Sequence, residues 1–253
     1  MQKLFYILSV LLISTASFGQ MTDKIETDRP DQTESPFVVP ENYLQGEFGF
    51  NVINFEGNVR QFLIPTALLK YGVNRRMELR LVASPYTESI EPVVDQKRRL
   101  KLEPVELGLK VRLFEEKGFR PKTSIIAHAG LPFLASREFR GSAFTYTTRL
   151  TMQHTLSEVV SLGYNVGVER DIEETTSGFY TIAPGFNISE RWYSYIEAFG
   201  SFAGDDDEHN LDCGIAFNPS PNTKIDLSAG FGLGSSPLKN YVAVGFSFRL
   251  PLK

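Results

Sequence analysis

At 253 residues, with 26 basic and 30 acidic side chains and a formal net charge of −4, the chain is a poor candidate for nucleic-acid binding, which calls for a basic surface. A single cysteine, Cys213, excludes an internal disulfide. Hydrophobic residues make up 42% and include 20 Phe and 10 Tyr, yet beyond the first residues no apolar run reaches the roughly 20 positions that a membrane helix needs.

Met1-Gln2-Lys3 and the apolar run Leu4 to Ile13 read as the positive and hydrophobic parts of a secretory leader. Small residues at Ser17 and Gly19 put the expected cleavage after Gly19, so the mature chain starts at Gln20. The apolar run is too short for an uncleaved anchor, and no cysteine follows it, which excludes lipoprotein processing. The expected division is a signal peptide over 1–19, a Pro-rich segment over 20–40 and a β-domain over 41–253.

The Pro-rich segment, Thr27 to Pro36 and on to Pro40, is too polar for a core element, and Pro30, Pro36 and Pro40 each lack a backbone donor. After Glu41-Asn42 the pattern changes to period two, with Leu44, Gly46, Phe48 and Phe50 on one face of a first strand. A second strand is predicted over Val59 to Tyr71 and a third over Arg76 to Pro85, followed by a charged outer loop from Thr87 to Lys101 that contains Asp95-Gln96-Lys97-Arg98-Arg99. Strand four alternates most cleanly, with Val105, Leu107, Leu109, Val111 and Leu113 against Glu106, Gly108, Lys110 and Arg112.

Strand five is expected over Lys122 to Phe133, strand six over Phe144 to Thr155, and strand seven over Val160 to Val168. Strand eight, Gly178 to Ile188, contains Pro184, which cannot donate to a ladder and predicts a bulge. Strand nine runs from Trp192 to Ala203 and leads into an acidic loop, Asp205-Asp206-Asp207-Glu208. Strands ten, eleven and twelve follow over Asn210 to Phe217, Ile225 to Leu233 and Asn240 to Leu250.

Twelve or so strands of about ten residues, in an exported chain without membrane helices, predict an all-β fold: an antiparallel transmembrane β-barrel preceded by a Pro-rich segment. The even count returns both termini to the periplasmic side, and the tight junctions near Gly72, Gly118, Ser157, Ser189 and Ser220 fall on that side. A soluble periplasmic β-sandwich also alternates, but it would enclose its apolar faces and use shorter strands. The chain ends Phe248-Arg249-Leu250-Pro251-Leu252-Lys253 rather than on an aromatic, so Phe248 is the residue left to serve as the assembly signal.

The run TDRPDQTESPFVVPENYLQGEFGF, Thr27 to Phe50, resembles the opening of the bacterial outer-membrane family named for the MetA pathway of phenol degradation. The match is specific there and extends over the remaining chain only through strand rhythm and length. It implies an outer-membrane barrel that passes small, often hydrophobic or aromatic compounds, with no cofactor. The expected partners are outer-membrane lipid, the small-molecule solute and the barrel-assembly machinery.

If the apolar faces meet lipid, Glu47, Glu78, Arg80, Glu106, Lys110, Arg112, Arg149, Glu169, Lys224 and Asp226 point into the lumen. They either pair across strands and fill the barrel or line a charge-selective path. The segment Thr27 to Pro40 is the natural insert, a plug with Arg29 on a lumen carboxylate and Asp28 or Asp31 on a lumen arginine; the alternative is a free periplasmic tail. Asp205 to His209 lacks regular ligand spacing, and no metal is expected. His154 with Ser157, or His128 with Ser124, has the residue types of a hydrolase but no glycine-framed nucleophile, so the chain is not read as an enzyme. A structural or adhesive barrel without transport remains the other reading. A hydrophobic solute leaving sideways would use a gap between strands, with the bulge expected at Pro184 as one place for it.

Overall fold

The computed structural model describes residues 24–90, 99–140, 144–204 and 206–252. Its strands are β1 (Tyr43–Phe55), β2 (Val59–Asn74), β3 in two pieces (Met77–Ala83 and Pro85–Ile90), β4 in two pieces (Lys101–Leu102 and Val105–Phe114), β5 (Lys122–Leu131) and β6 (Tyr146–Thr155). The second half adds β7 (Val160–Arg170), β8 (Thr176–Asn187), β9 (Trp192–Ala203), β10 (Asp206–Ser220), β11 (Thr223–Leu233) and β12 (Leu238–Pro251). Each strand pairs antiparallel with its neighbours in sequence, and β1 pairs with β12 from Tyr43↔Pro251 to Phe55↔Leu238, which closes a twelve-stranded barrel. Closure leaves no free edge, so backbone donors and acceptors can be paired in hydrocarbon.

The pleat sorts the side chains. Phe50, Leu79, Leu109, Val166, Ile196, Leu227 and Val244 are exposed on the outer wall, while Glu47, Glu78, Lys110, Asn165, Glu197 and Asp226 lie almost wholly buried inside. This inversion of a soluble core is what a lipid solvent demands. At the seam, Phe48 and Phe248 stack at 6.1 Å, and Gly46 supplies the room: a Cβ there would meet the Phe248 ring at 2.9 Å.

Four expectations about local structure are corrected. The loop placed from Thr87 to Lys101 is shorter, because β3 continues to Ile90 and β4 already begins at Lys101; Asp95-Gln96-Lys97-Arg98 lie outside the described residues. Strand five stops at Leu131, where Pro132 starts a short 3-10 turn, and β6 begins at Tyr146. No bulge forms at Pro184: it pairs with Leu162 in unbroken register, and toward β9 the pairing skips Ala183 and Pro184 without a shift. A missing N–H removes a ladder bond but inserts no residue, so register can persist.

The acidic loop is mostly strand. Asp206, Asp207 and Glu208 pair with Ala203, Phe202 and Ser201, so β9 and β10 form a tight hairpin around Gly204, whose φ of 70° suits such a turn; Asp205 lies outside the described residues. Interruptions of the wall occur elsewhere. Between β1 and β2 the register steps from Gly49↔Thr66 to Asn51↔Leu63, around Pro65. Next to it, β3 breaks at Ser84 before Pro85, and β4 breaks at Glu103-Pro104.

Candidate functional site

The lumen wall of β2, β3, β4 and β6 carries the cations Lys70, Arg80, Lys110 and Arg149, while β9, β10 and β11 carry the anions Glu197, Asp212 and Asp226. Between these walls runs the segment from Lys24 to Asn42. It enters beside the β10–β11 turn, where the Ile25 amide donates to the Pro221 carbonyl at 2.8 Å, and leaves beside β2, where the Asn42 amide donates to the Gly72 carbonyl at 2.9 Å. Gly72 permits that exit, since a Cβ there would lie 2.0 Å from the Pro40 carbonyl oxygen.

A buried segment with no strand partner must satisfy its backbone from side chains. The walls supply them. The amides of Asp28, Gln32, Glu34 and Val39 donate to Glu47 at 2.9 Å, Glu197 at 2.7 Å, the Asn165 Oδ1 at 2.8 Å and Glu78 at 2.7 Å. Its carbonyls are met in turn: Thr151 donates to Glu34 at 2.6 Å, Lys110 to Ser35 at 2.8 Å, and Ser124 to Pro36 at 2.7 Å. Prolines suit this path because each one removes a donor that would otherwise need an acceptor.

Asp28 is the densest junction. Its carboxylate accepts from Lys70 and Arg80 at 2.9 Å and from Lys110 at 3.0 Å, as well as from the Ser35 amide at 2.9 Å. Burial alone would raise its pKa, but Lys110, Lys70 and Arg80 together hold it well below the ordinary carboxylate range. Lys70 also pairs with Glu47, and Arg80 bridges to Glu34 at 2.6 Å and Glu78 at 3.1 Å. Burial likewise opposes ionisation of Glu34, and Arg80 and Arg149 outweigh it.

Arg29 turns the other way and donates to Asp226 at 3.1 Å. Its guanidinium lies against Gly49 and Gly245, where a Cβ would come within 2.3 Å and 2.5 Å of it. Thr33 donates to Glu197 at 2.5 Å and shares a hydrogen bond with Thr181 at 2.6 Å. Burial pushes the Asp31 carboxyl up to about 7; Lys224 opposes that rise, and Asp212 and Asp28 add to it. At the end of the barrel that carries the termini, a cavity of about 250 Å³ remains between the segment and the wall, lined by Asp31, Thr33, Gly163, Ala183, Tyr193 and Lys224 among others.

Of the ten wall positions named from the alternation, Glu47, Glu78, Arg80, Lys110 and Asp226 join these contacts directly, Lys224 donates to Thr27 at 2.7 Å, and Arg149 donates to the Gln32 carbonyl at 2.8 Å. Glu106 lies further toward the outer end and meets the His128 Nδ1 at 3.2 Å, while the His128 Nε2 accepts from Arg80 at 2.9 Å. That pattern assigns the Nδ1 proton to the bond with Glu106. Glu169 accepts weakly from Ser177 at 3.4 Å. Arg112 sits at the rim, beside a register shift, and pairs with Glu115 at 2.9 Å.

Lys70 and Glu197 were missed by the alternation, which does put Asn165 and Asp212 on the polar faces of their strands without singling them out. Lys70 is hidden within Leu68-Leu69-Lys70-Tyr71, and in β9 the inward positions Tyr193, Tyr195, Glu197 and Phe199 are mostly aromatic. The inward side of β9 was therefore readable only by extending period two from Ile196, which is 58% exposed. The serine–histidine pairs do not meet: Ser124 donates to Pro36 and His128 is held by Arg80 and Glu106, whereas Ser157 accepts turn amides and His154 stacks on Tyr164. Among the described residues, no group of three or more His, Cys, Asp or Glu is disposed to hold a metal ion.

The family model described as MetA-pathway of phenol degradation matches residues 27–250. An outer membrane channel from Pseudomonas putida F1 superposes with a TM-score of 0.66 at 10% identity, over 89% of this chain and all of that one, 100%. The monoaromatic hydrocarbon channel CymD gives a TM-score of 0.51 at 10% identity, covering 84% of this chain and 89% of its own. The NanC porin gives 0.51 at 8% identity, covering 82% and 100%. At these identities the likeness is one of fold, that of outer-membrane channels. No curated protein sequence matches.

Proposed function

We propose that this chain, which belongs to the family described as the MetA pathway of phenol degradation, passes small hydrophobic or aromatic molecules across the outer membrane, with residues 24–42 as the barrier that closes the aqueous lumen. The leader over 1–19 exports it and the assembly machinery inserts it. The observation that carries the reading is the bonding of Asp28, Arg29, Thr33 and Glu34 to opposite walls of the barrel. A lumen crossed by paired charges is a poor path for an apolar solute, which supports a sideways route through the wall.

The interruptions at Pro65, Ser84-Pro85 and Glu103-Pro104 lie on three adjacent strands, and Pro132 ends the fourth. There the wall lacks donors, so a gap can widen at little cost in hydrogen bonds. This region, rather than Pro184, is where the route belongs. The mature chain in planar bilayers, beside a form lacking 20–36, tests the barrier: currents should be rare in the first and frequent in the second. Uptake of a radiolabelled aromatic by expressing cells tests the route, with Pro65→Val and Pro85→Val expected to slow it. Equal currents from both forms would sink the barrier, and unchanged uptake in both variants would sink the route.

A further inference from the structure

The rim that carries the termini is uneven in charge. Two neighbouring turns hold Arg75 and Arg76, between β2 and β3, and Lys117 and Arg120, between β4 and β5, all four exposed. They are tied together, since the Arg112 amide donates to the Arg76 carbonyl at 2.8 Å and its guanidinium to the Arg75 carbonyl. The two acids of the β4–β5 turn do not meet Lys117 or Arg120 in these contacts: Glu115 pairs with Arg112 at 2.9 Å and Lys122 at 3.6 Å, and Glu116 accepts from the Thr155 amide at 2.7 Å and its hydroxyl at 2.8 Å. The remaining turns of this rim, around Glu158, Glu190-Arg191 and Pro221-Asn222, show no such excess.

Apolar groups flank these cations. Lys117 and Arg120 pair across Gly118, whose φ is 58°, so that Phe119 stands at the tip fully exposed, at 103%. A register shift between Arg112 and Phe114 adds an outward residue, and Phe114 lies on the lipid side with the Arg120 guanidinium 5.3 Å above its ring. A phenyl group held in water between Lys117 and Arg120, one turn away from Arg75 and Arg76 and at the edge of an apolar wall, is the pattern that meets a bilayer interface.

We propose that these two turns bind a glycerophospholipid with an anionic headgroup in the periplasmic leaflet, the cations taking the phosphate and Phe119 entering the acyl boundary. The proposal rests on the outer-membrane orientation above but not on transport, so silent channels would leave it untouched. Near a membrane each cation adds roughly fivefold to the affinity for anionic lipid. The folded mature protein in detergent is mixed with phosphatidylglycerol, phosphatidylcholine or lipid A, and retained lipid is counted by native mass spectrometry.

Phosphatidylglycerol should be retained at least about tenfold better than phosphatidylcholine, in keeping with two or more cations acting together. The combined change Arg75→Gln, Arg76→Gln, Lys117→Gln and Arg120→Gln should erase that preference, whereas Arg191→Gln should keep it. Phe119→Ser should weaken retention of both phospholipids. Folding is checked by heat-modified gel mobility; if the fourfold variant misfolds, Lys117→Gln with Arg120→Gln, both on an exposed turn, takes its place. A preference that survives these changes, equal retention of the two phospholipids, or stronger retention of lipid A would overturn the proposal.

Discussion

Replacing Asp28 by Asn should release the N-terminal segment while leaving the barrel standing. The change preserves shape and one acceptor but removes the anion shared by Lys70, Arg80 and Lys110, all within about 3 Å of it. Breaking a buried ionic cluster by removing one partner costs about 3–5 kcal/mol. None of the strand ladders involves Asp28, so the cost falls on docking of the segment. At about 1.4 kcal/mol per decade, even the lower figure shifts the ratio of docked to undocked forms about 100-fold. Single-channel recording in planar bilayers reads this directly, with the form lacking 20–36 as the fully open reference. Asp28→Asn should show open events of the reference amplitude far more often than the parent chain. If the reference conducts and Asp28→Asn stays as quiet as the parent, ionic docking at Asp28 is not what closes the lumen.

Four other outcomes follow from the same contacts. Burial pushes the docked Asp31 carboxyl up from the ordinary 3.8 to about 7, so its docked form holds the proton more tightly; docking is strongest below that ordinary value and weakens as pH rises toward about 7. Open probability should therefore rise between pH 5 and 7 in the parent chain, and Asp31→Asn should flatten that rise. Asp28, shifted the other way, contributes docking above 3.8 that is lost on stronger acidification, so opening should return well below pH 4. Gly49→Val should displace the Arg29 guanidinium, which a Cβ would approach to 2.3 Å, and raise conductance in a barrel whose gel mobility is unchanged. Glu197→Ala leaves the part-buried Gln32 amide without its acceptor and Thr33 with only its bond to Thr181, a loss of about 1 kcal/mol or more, and should expose the segment to added protease.

The barrel was legible from period two because lipid and lumen make opposite demands on successive residues, as in Val105 to Leu113. Strand number and parity followed, and so did the sorting of Glu47, Lys110 and Asp226 to the inside. The errors came where one backbone group decides: Pro184 looks like a break but keeps register, whereas Pro65 and Pro104 sit where the wall is interrupted. A missing donor matters only against the partner opposite it, and local sequence does not name that partner. Asp206 to Glu208 read as loop because charge outweighed pairing, although a hairpin at Gly204 had strands on both sides to satisfy.

By itself, then, the amino-acid order determined the inward face wherever the alternation is regular, as at Glu47, Lys110 and Asp226, since alternation is a local property of the pleat; Lys70 and Glu197 lay beyond it. Only the closed barrel decided their partners. Asp28 lies 42 positions from Lys70 and 82 from Lys110, and Arg29 lies 197 from Asp226, yet closure brings each pair within hydrogen-bond distance. Which charge meets which depends on strand register, on glycines such as Gly49 and Gly245 that leave room for a guanidinium, and on a segment without ladder bonds that must find acceptors on every wall it passes.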